Sequence, residues 1–295
     1  SVWSKPATMP SYNNIDHLRS MNNLAQHQLF SVHGKVVVIT GGSRGIGLMM
    51  AKAFVDNGAK VYFVSRKKQA CDDVAAALNN MNAPGTAVSC PADVGTDQGC
   101  QQLVRDISKL ETKIDTLVNN AGLTWGSENY SDFPEHAWHK VFNVNVTALF
   151  QLSRAFVPLL KAASHGNLDP SHIINVSSVA GNMDSSNPFD NAPSYAASKA
   201  AANKVTQILA AYFVADHINV NCIAPAVFPS KMTYSYQLKT EQGMEMTKDS
   251  HPVGRYGNEE DIAGLTLFLS SKASAFVTGS IIKLDGGMSA IRSRL

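Results

Sequence analysis

Apolar positions along the chain follow two alternating rhythms. Residues 35–40, Lys-Val-Val-Val-Ile-Thr, are a run of β-branched apolar residues, the pattern of a strand covered on both faces. A helical rhythm follows, with Ile46, Met50, Ala53 and Phe54 on one face, and Asn57-Gly58 closes it. The alternation repeats: strands are predicted at 60–65, 86–90, 114–120, 171–178, 217–225 and 280–287. Between them the helical periodicity predicts helices near 68–82, 96–109, 135–163, 194–215 and 258–270, with Pro158 kinking the third of these. A polar and aromatic insert occupies 227–256.

Strand–helix alternation of this regularity predicts an α/β chain, a doubly wound parallel sheet of Rossmann type with helices on both faces. No linker interrupts residues 34–287, so they form a single domain. Residues 1–33 read as a polar N-terminal extension and 288–295 as a C-terminal tail.

Composition narrows the function. Lys+Arg is 25 and Asp+Glu 23, a net charge of +2, which argues against nucleic acid as a partner. Nothing approaches eighteen consecutive apolar residues, so no membrane span is predicted. The cysteines at 71, 90, 100 and 222 have no CxxC spacing. His136 and His139 stand one helical turn apart with no further ligand nearby, so no metal site is expected.

The candidate chemistry begins at the first strand–helix junction. Thr40-Gly41-Gly42-Ser43-Arg44-Gly45-Ile46-Gly47 would bring a pyrophosphate against free backbone N–H groups and the positive end of a helix dipole. Glycines belong where a side chain would keep the phosphate away. The second strand ends Ser65-Arg66-Lys67-Lys68, without a carboxylate. A carboxylate would hold a ribose 2′-hydroxyl and repel a 2′-phosphate, whereas Arg66, with Arg44 approaching from the glycine loop, can grip that phosphate. The reading is NADP(H) rather than NAD(H); the competing one is a solvated basic loop.

Two serines, Ser177 and Ser178, end the fifth strand and point to opposite faces. Further on, Tyr195-Ala-Ala-Ser-Lys199 places a phenol and an amine one turn apart on a helix. Their ordinary pKa values, about 10 and about 10.4, serve proton transfer only if the environment shifts them.

Thr-Gly-x-x-x-Gly-x-Gly, Asn119-Asn120-Ala121-Gly122 and Tyr195-x-x-x-Lys199, in this order over residues 34–287, resemble the short-chain dehydrogenase/reductase family. The glycine loop then implies cofactor contacts from Gly41, Ser43, Arg44, Gly45, Ile46 and Gly47, joined by Ser65 and Arg66. The resemblance further implies that Asp93 and Val94 flank the adenine, with a plain helix cap as the other reading of Asp93. Asn120, Ala121 and Gly122 would lie under the adenosine ribose. It selects Ser178 over Ser177 as the serine beside the reacting oxygen. It makes Asn145, rather than the nearby Asn143, the holder of a water leading to Lys199. Tyr195 would be the proton donor. Lys199 would bind the nicotinamide ribose and lower the phenol's pKa.

Pro225-Ala226 stands where relatives usually have Pro-Gly, and the resemblance places Pro225, Val227 and Ser230 at the nicotinamide. Asn145 and Asn175 each begin a glycosylation pattern, but both fall in segments assigned to the site.

Residues 224–233 resemble the rhamnolipid-type branch of 3-oxoacyl reductases in the family. That branch implies reduction of a ketone, a 3-oxoacyl thioester. The alternative is a secondary-metabolite or polyol-type ketone, and the third reading is a non-enzymatic binding protein of the same fold. Residues 183–193 and the insert, with Phe228, Met232, Tyr234, Tyr236, Leu238, Met244 and Met246, would supply substrate contacts or subunit packing. The long helices resemble the family's oligomer contacts and imply a homotetramer. The closing Ser293-Arg294-Leu295 resembles a peroxisomal address, which implies an import receptor as a partner; the alternative location is the cytoplasm.

Overall fold

The structure, a computed structural model, describes residues 24–183, 191–236 and 238–290, with Ile15 and Met21. Ser293-Arg294-Leu295 and residues 184–190 at the expected mouth of the pocket lie outside these.

Seven parallel strands form one sheet in the order β3-β2-β1-β4-β5-β6-β7. They are β1 Val36–Thr40, β2 Lys60–Val64, β3 Thr86–Ser89, β4 Thr116–Asn119, β5 Ser171–Val176, β6 Ile218–Pro225 and β7 Ile281–Leu284. The alternation of side chains in β1 divides the core. Val36 and Val38 join Leu103, Ile107, Leu149, Leu152 and Leu209 on one face of the sheet. Val37 and Ile39 join Met50, Phe54, Ile262 and Leu269 on the other. All five residues of β1 are buried, which explains the unbroken apolar run in place of a two-residue alternation.

The flanking helices are α1 Gly45–Asp56, α2 Lys68–Asn79 and α3 Asp97–Leu110, then α4 Glu135–Phe142, α5 Ala148–Ala155 and α6 Val157–Ala163, then α7 Pro193–Phe213. The insert folds into two short helices, α8 Lys231–Tyr236 and α9 Glu241–Asp249, and α10 spans Glu259–Leu269. The fold class is therefore as the sequence predicts, a doubly wound sheet. Strand order reverses between β1 and β4, where ligands of such sheets bind, outside the carboxyl ends of the strands.

Two expectations need correction. The helix over 135–163 is not continuous. A π-helical turn, Asn143–Thr147, separates α4 from α5, and Phe156 separates α5 from α6, which carries Pro158 in its first turn. The proline break is the kink that the sequence suggests; the π turn has no signature in composition. Phe228 serves neither substrate contact nor subunit packing: it belongs to the core, and its ring packs so closely on Gly257 that a Cβ there would lie 2.3 Å from its Cζ. Leu238 is also buried, whereas Tyr234 and Met246 remain exposed.

Candidate active site

The first βα turn is shaped by close approach. Gly41 has φ +69°, and a Cβ there would lie 2.9 Å from Asn120 Nδ2. A Cβ on Gly47 would lie 2.3 Å from the Gly41 carbonyl oxygen and 2.4 Å from Asn120 Nδ2. The Asn120 amide donates to the carbonyls of Thr40 at 2.9 Å and Gly41 at 3.1 Å. Thr40 Oγ1 in turn accepts from the backbone N–H groups of Asn120 and Ala121, each at 3.0 Å. Adjacent strand ends are thus clamped to each other, and no side chain caps the start of α1. Its N–H groups face a glycine cradle, as a pyrophosphate requires.

Ser43 and Ile46 are half-buried in this turn, and Arg44 projects outward. At the end of β2, Ser65 is half-buried, its hydroxyl 3.3 Å from Cys71 Sγ, and Arg66 is exposed. Lys68 pairs with Asp72 at 2.5 Å, and the guanidinium candidates named by the sequence, Arg44 and Arg66, are exposed. Asp93 does not cap a helix: its Oδ1 accepts from Gly95 N at 3.0 Å, while Thr96 caps α3 through Gly99 N. Val94 is buried.

The reacting candidates converge at the carboxyl ends of β5 and β6. Ser178 begins a short turn, Val179–Gly181, and accepts from Ala180 N at 3.2 Å. Its hydroxyl lies 3.5 Å from the Pro225 carbonyl. Ser177 points the other way and donates to the Lys199 carbonyl at 2.9 Å. The two serines therefore separate as the strand geometry predicts. Gly181 makes this possible, since a Cβ there would lie 2.6 Å from the Lys199 backbone.

Lys199 is buried, and its ammonium donates to the Val176 carbonyl at 2.8 Å. Burial lowers its pKa to about 8. Burial also raises the Tyr195 phenol above its ordinary value, opposed by the hydrogen bond with Ser178. Lys199 is not among the causes of that shift. The ammonium stands over the Tyr195 ring, 5.5 Å from its centroid, and is anchored on Val176.

Asn145 sits in the π turn, only 2% exposed, whereas Asn143 is exposed. Its Oδ1 accepts from Leu123 N at 2.9 Å, and its Nδ2 donates to Leu123 O at 3.0 Å and Ser198 Oγ at 2.9 Å. Ser198 then donates to the Tyr195 carbonyl at 2.7 Å. Gly122 is exposed, and a Cβ on it would lie 3.4 Å from Asn145 Oδ1 and 3.5 Å from Lys199 Nζ. The bare glycine leaves a gap between amide and ammonium. Asn175, the other residue of a glycosylation pattern, is fully buried and donates to Thr206.

Across the cleft, Val227 is buried and Ser230 reaches the glycine loop: a Cβ on Gly45 would lie 3.2 Å from Ser230 Cβ. Ser230 also accepts from Thr233 N at 3.2 Å, starting α8. Ala226 donates to Leu284 O at 3.1 Å, and its φ is not positive, so alanine fits without strain. His139 lies 3.7 Å from Glu135 and His136 packs on Trp125. Among the described residues no His, Cys, Asp and Glu cluster could hold a metal.

Sequence reasoning missed Ser198 as the link between Asn145 and Tyr195, Ser177 as the brace on Lys199, and Thr40 as the clamp on Asn120. Each lies inside or beside a quoted motif, but its partner is distant in sequence.

A glycine cradle at the strand-order reversal and a Ser–Tyr–Lys cluster beside it define a dinucleotide-dependent oxidoreductase site. Residues 41–289 match the family model described as enoyl-(acyl carrier protein) reductase. The rhamnolipids biosynthesis 3-oxoacyl-[acyl-carrier-protein] reductase of Pseudomonas aeruginosa is 39% identical over 261 residues, 88% of this chain and 98% of that protein. The short-chain dehydrogenase/reductase PhomF of Diaporthe leptostromiformis is 36% identical, covering 90% of this chain and 94% of its own length. Among solved structures, the Pseudomonas aeruginosa RhlG/NADP active-site complex matches with a TM-score of 0.82 at 37% identity, over 89% of this chain and 99% of that one. The chain belongs to the short-chain dehydrogenase/reductase family of oxidoreductases.

Proposed function

We propose that this chain is an NADPH-dependent carbonyl reductase acting on a ketone of the 3-oxoacyl thioester class. The observation that carries the reading is the gathering of the buried Ser178, Tyr195 and Lys199 at the carboxyl ends of β5 and β6, with the Lys199 ammonium 5.5 Å from the centroid of the Tyr195 ring. Ser178 and Tyr195 can then both serve one carbonyl oxygen. The glycine cradle and the uncapped start of α1 fit a dinucleotide pyrophosphate, and Arg44 and Arg66, with no carboxylate at the end of β2, fit a ribose 2′-phosphate. When bound, the reduced nicotinamide supplies a hydride to the carbonyl carbon.

The protein's own work is then to manage charge on the oxygen. Ser178 donates a hydrogen bond to it and Tyr195 gives it a proton. The raised phenol pKa keeps that proton in place at neutral pH. Lys199 holds the nicotinamide ribose, and a water in the gap at Gly122 links it to Asn145. The RhlG complex is named for NADP and its relative for a 3-oxoacyl substrate, which supports both halves of the reading.

NADPH oxidation followed against 3-oxoacyl thioesters, diketones, sugars and an enoyl thioester tests it. Turnover of the 3-oxoacyl thioesters is expected to lead; preference for a polyol-type ketone would install the second reading, and reduction of the enoyl bond alone would defeat both. No turnover with any of them would favour a binding protein. The exposed Phe150 on α5 and Ile208 and Tyr212 on α7 support a homotetramer, which a monomeric mass in solution would contradict. Peroxisomal import is proposed on the resemblance of Ser293-Arg294-Leu295 to a peroxisomal address; a fluorescent protein fused ahead of the chain should enter peroxisomes, and uniform cytoplasmic signal would oppose the proposal.

A further inference from the structure

One amide joins three segments of the chain. Asn145 Oδ1 accepts from Leu123 N at 2.9 Å, and its Nδ2 donates to Leu123 O at 3.0 Å and to Ser198 Oγ at 2.9 Å. Ser198 is fully buried on α7 and gives its one hydroxyl proton to the Tyr195 carbonyl at 2.7 Å. The hydroxyl oxygen is left to accept, so only a donor can face it. This fixes the amide: Nδ2 turns toward α7 and Oδ1 away from it. A Cβ on Gly122 would lie 3.4 Å from Asn145 Oδ1 and 3.5 Å from Lys199 Nζ. Amide oxygen and ammonium therefore border the same bare glycine.

Helix formation does not account for Ser198. Ala196, Ala197, Ala200, Ala201 and Ala202 surround it, and alanine is the better helix former. A serine that bonds back to a carbonyl of the preceding turn slightly weakens a helix. What the hydroxyl adds is an acceptor for an amide on another element, one residue from Lys199 and three from Tyr195. Without it, one Nδ2 proton has no partner in a buried place, and the amide is free to turn.

We propose that Ser198 is a positioning residue for the reaction: through Asn145 it holds the π turn in register with the start of α7, so that amide oxygen, ammonium and phenol keep one geometry during turnover. The inference rests on the carbonyl-reductase reading above. Ser198 acts through Asn145, with no contact of its own to the ketone.

The test uses the full chain, NADPH and the ketone of the panel above that turns over fastest. Ser198→Ala is expected to lower kcat about 10- to 100-fold, the loss that a small misplacement away from the reacting atoms can cause. KM for NADPH and for the ketone should stay near the parent values. Asn145→Ala should lower kcat by itself, and adding Ser198→Ala to it should cost almost nothing more, because both changes break one link. A parent-like kcat in Ser198→Ala, a loss carried by KM, or a double variant whose loss is the product of the two single losses overturns the proposal. If Ser198→Ala does not fold, Ser198→Cys, whose sulfur is only a weak acceptor, takes its place: a lowered kcat at parent KM supports the proposal and a parent-like kcat overturns it. Should no ketone react, the carbonyl-reductase reading falls, and hydrogen exchange decides the link itself. The Leu123 N–H should then exchange faster in Ser198→Ala than in the parent, while the N–H groups of β1 keep their rates. Equal Leu123 rates, or faster exchange in β1 as well, removes Ser198 from the role.

Discussion

The Lys199 ammonium lies 2.8 Å from the Val176 carbonyl oxygen and 5.5 Å from the centroid of the Tyr195 ring. The cation is thus tethered to the end of β5 and sits against the phenol ring. Burial moves the two pKa values apart, Lys199 down to about 8 and Tyr195 up. The phenol of this chain is arranged to keep its proton until a partner takes it.

Replacing Tyr195 with Phe removes the hydroxyl while keeping the ring that covers Lys199. Ketone reduction should fall by about 10²- to 10⁴-fold, the usual worth of a positioned proton donor. NADPH affinity, read by fluorescence titration, should stay close to the parent value, because the cradle at Gly41 and Gly47 is untouched. Turnover comparable to the parent would remove Tyr195 from the role assigned to it.

The pH dependence follows from Lys199. Reduction uses the protonated phenol and the charged amine, and both forms are favoured at low pH. With Lys199 at about 8 and Tyr195 raised, kcat/KM for reduction should be level below about 8 and fall above it as the amine loses its charge. Lys199→Arg keeps a cation whose pKa exceeds about 12, so any residual activity should lose this alkaline limb. A limb at the same pH in the arginine variant would assign it to another group.

The sheet was legible in the sequence because its central strands are buried on both faces: every residue of β1, β4, β5 and β6 is buried, and β1 is apolar from Val36 to Ile39. The glycine loop was legible because close backbone approach leaves no other residue type open at Gly41 and Gly47. What the sequence did not disclose lies in tertiary contacts. Asn145 occupies a π turn because its amide is drawn to the backbone of Leu123, a residue outside the helix. Phe228 is an aromatic within a polar insert, and only the bare Gly257 opposite it explains why it turns into the core. Lys199 is four residues from Tyr195, but the carbonyl that anchors its ammonium, that of Val176, is distant in sequence.

Cofactor choice turns on Arg66. Its guanidinium is exposed at the end of β2, and Lys68 beside it is paired with Asp72. Hydrogen bonds to a charged group contribute about 1.5–3 kcal/mol, which is roughly 10- to 100-fold in affinity. Arg66→Ala should lower kcat/KM with NADPH by that factor and leave NADH nearly unchanged. A higher kcat/KM with NADH than with NADPH in the parent protein would refute the assignment before any mutation is made.

Thr40 offers a test of the clamp that carries the glycine loop. Its Oγ1 accepts from Asn120 N and Ala121 N, each at 3.0 Å, at the strand-order reversal between β1 and β4. Thr40→Val preserves shape and β-branching but removes the acceptor; the Ala121 N–H loses it, while the Asn120 N–H keeps the Val118 carbonyl at 3.1 Å. A buried donor left unpaired costs about 1–3 kcal/mol, so unfolding by denaturant should register a loss of about that size. The Asn120 amide holds the Thr40 and Gly41 carbonyls from the same turn, so NADPH affinity should weaken together with stability. Thr40→Ser restores the acceptor and should recover most of both. Parent-like stability and affinity in Thr40→Val would mean that the cradle is held by the Asn120 amide and the packing of Gly47 alone.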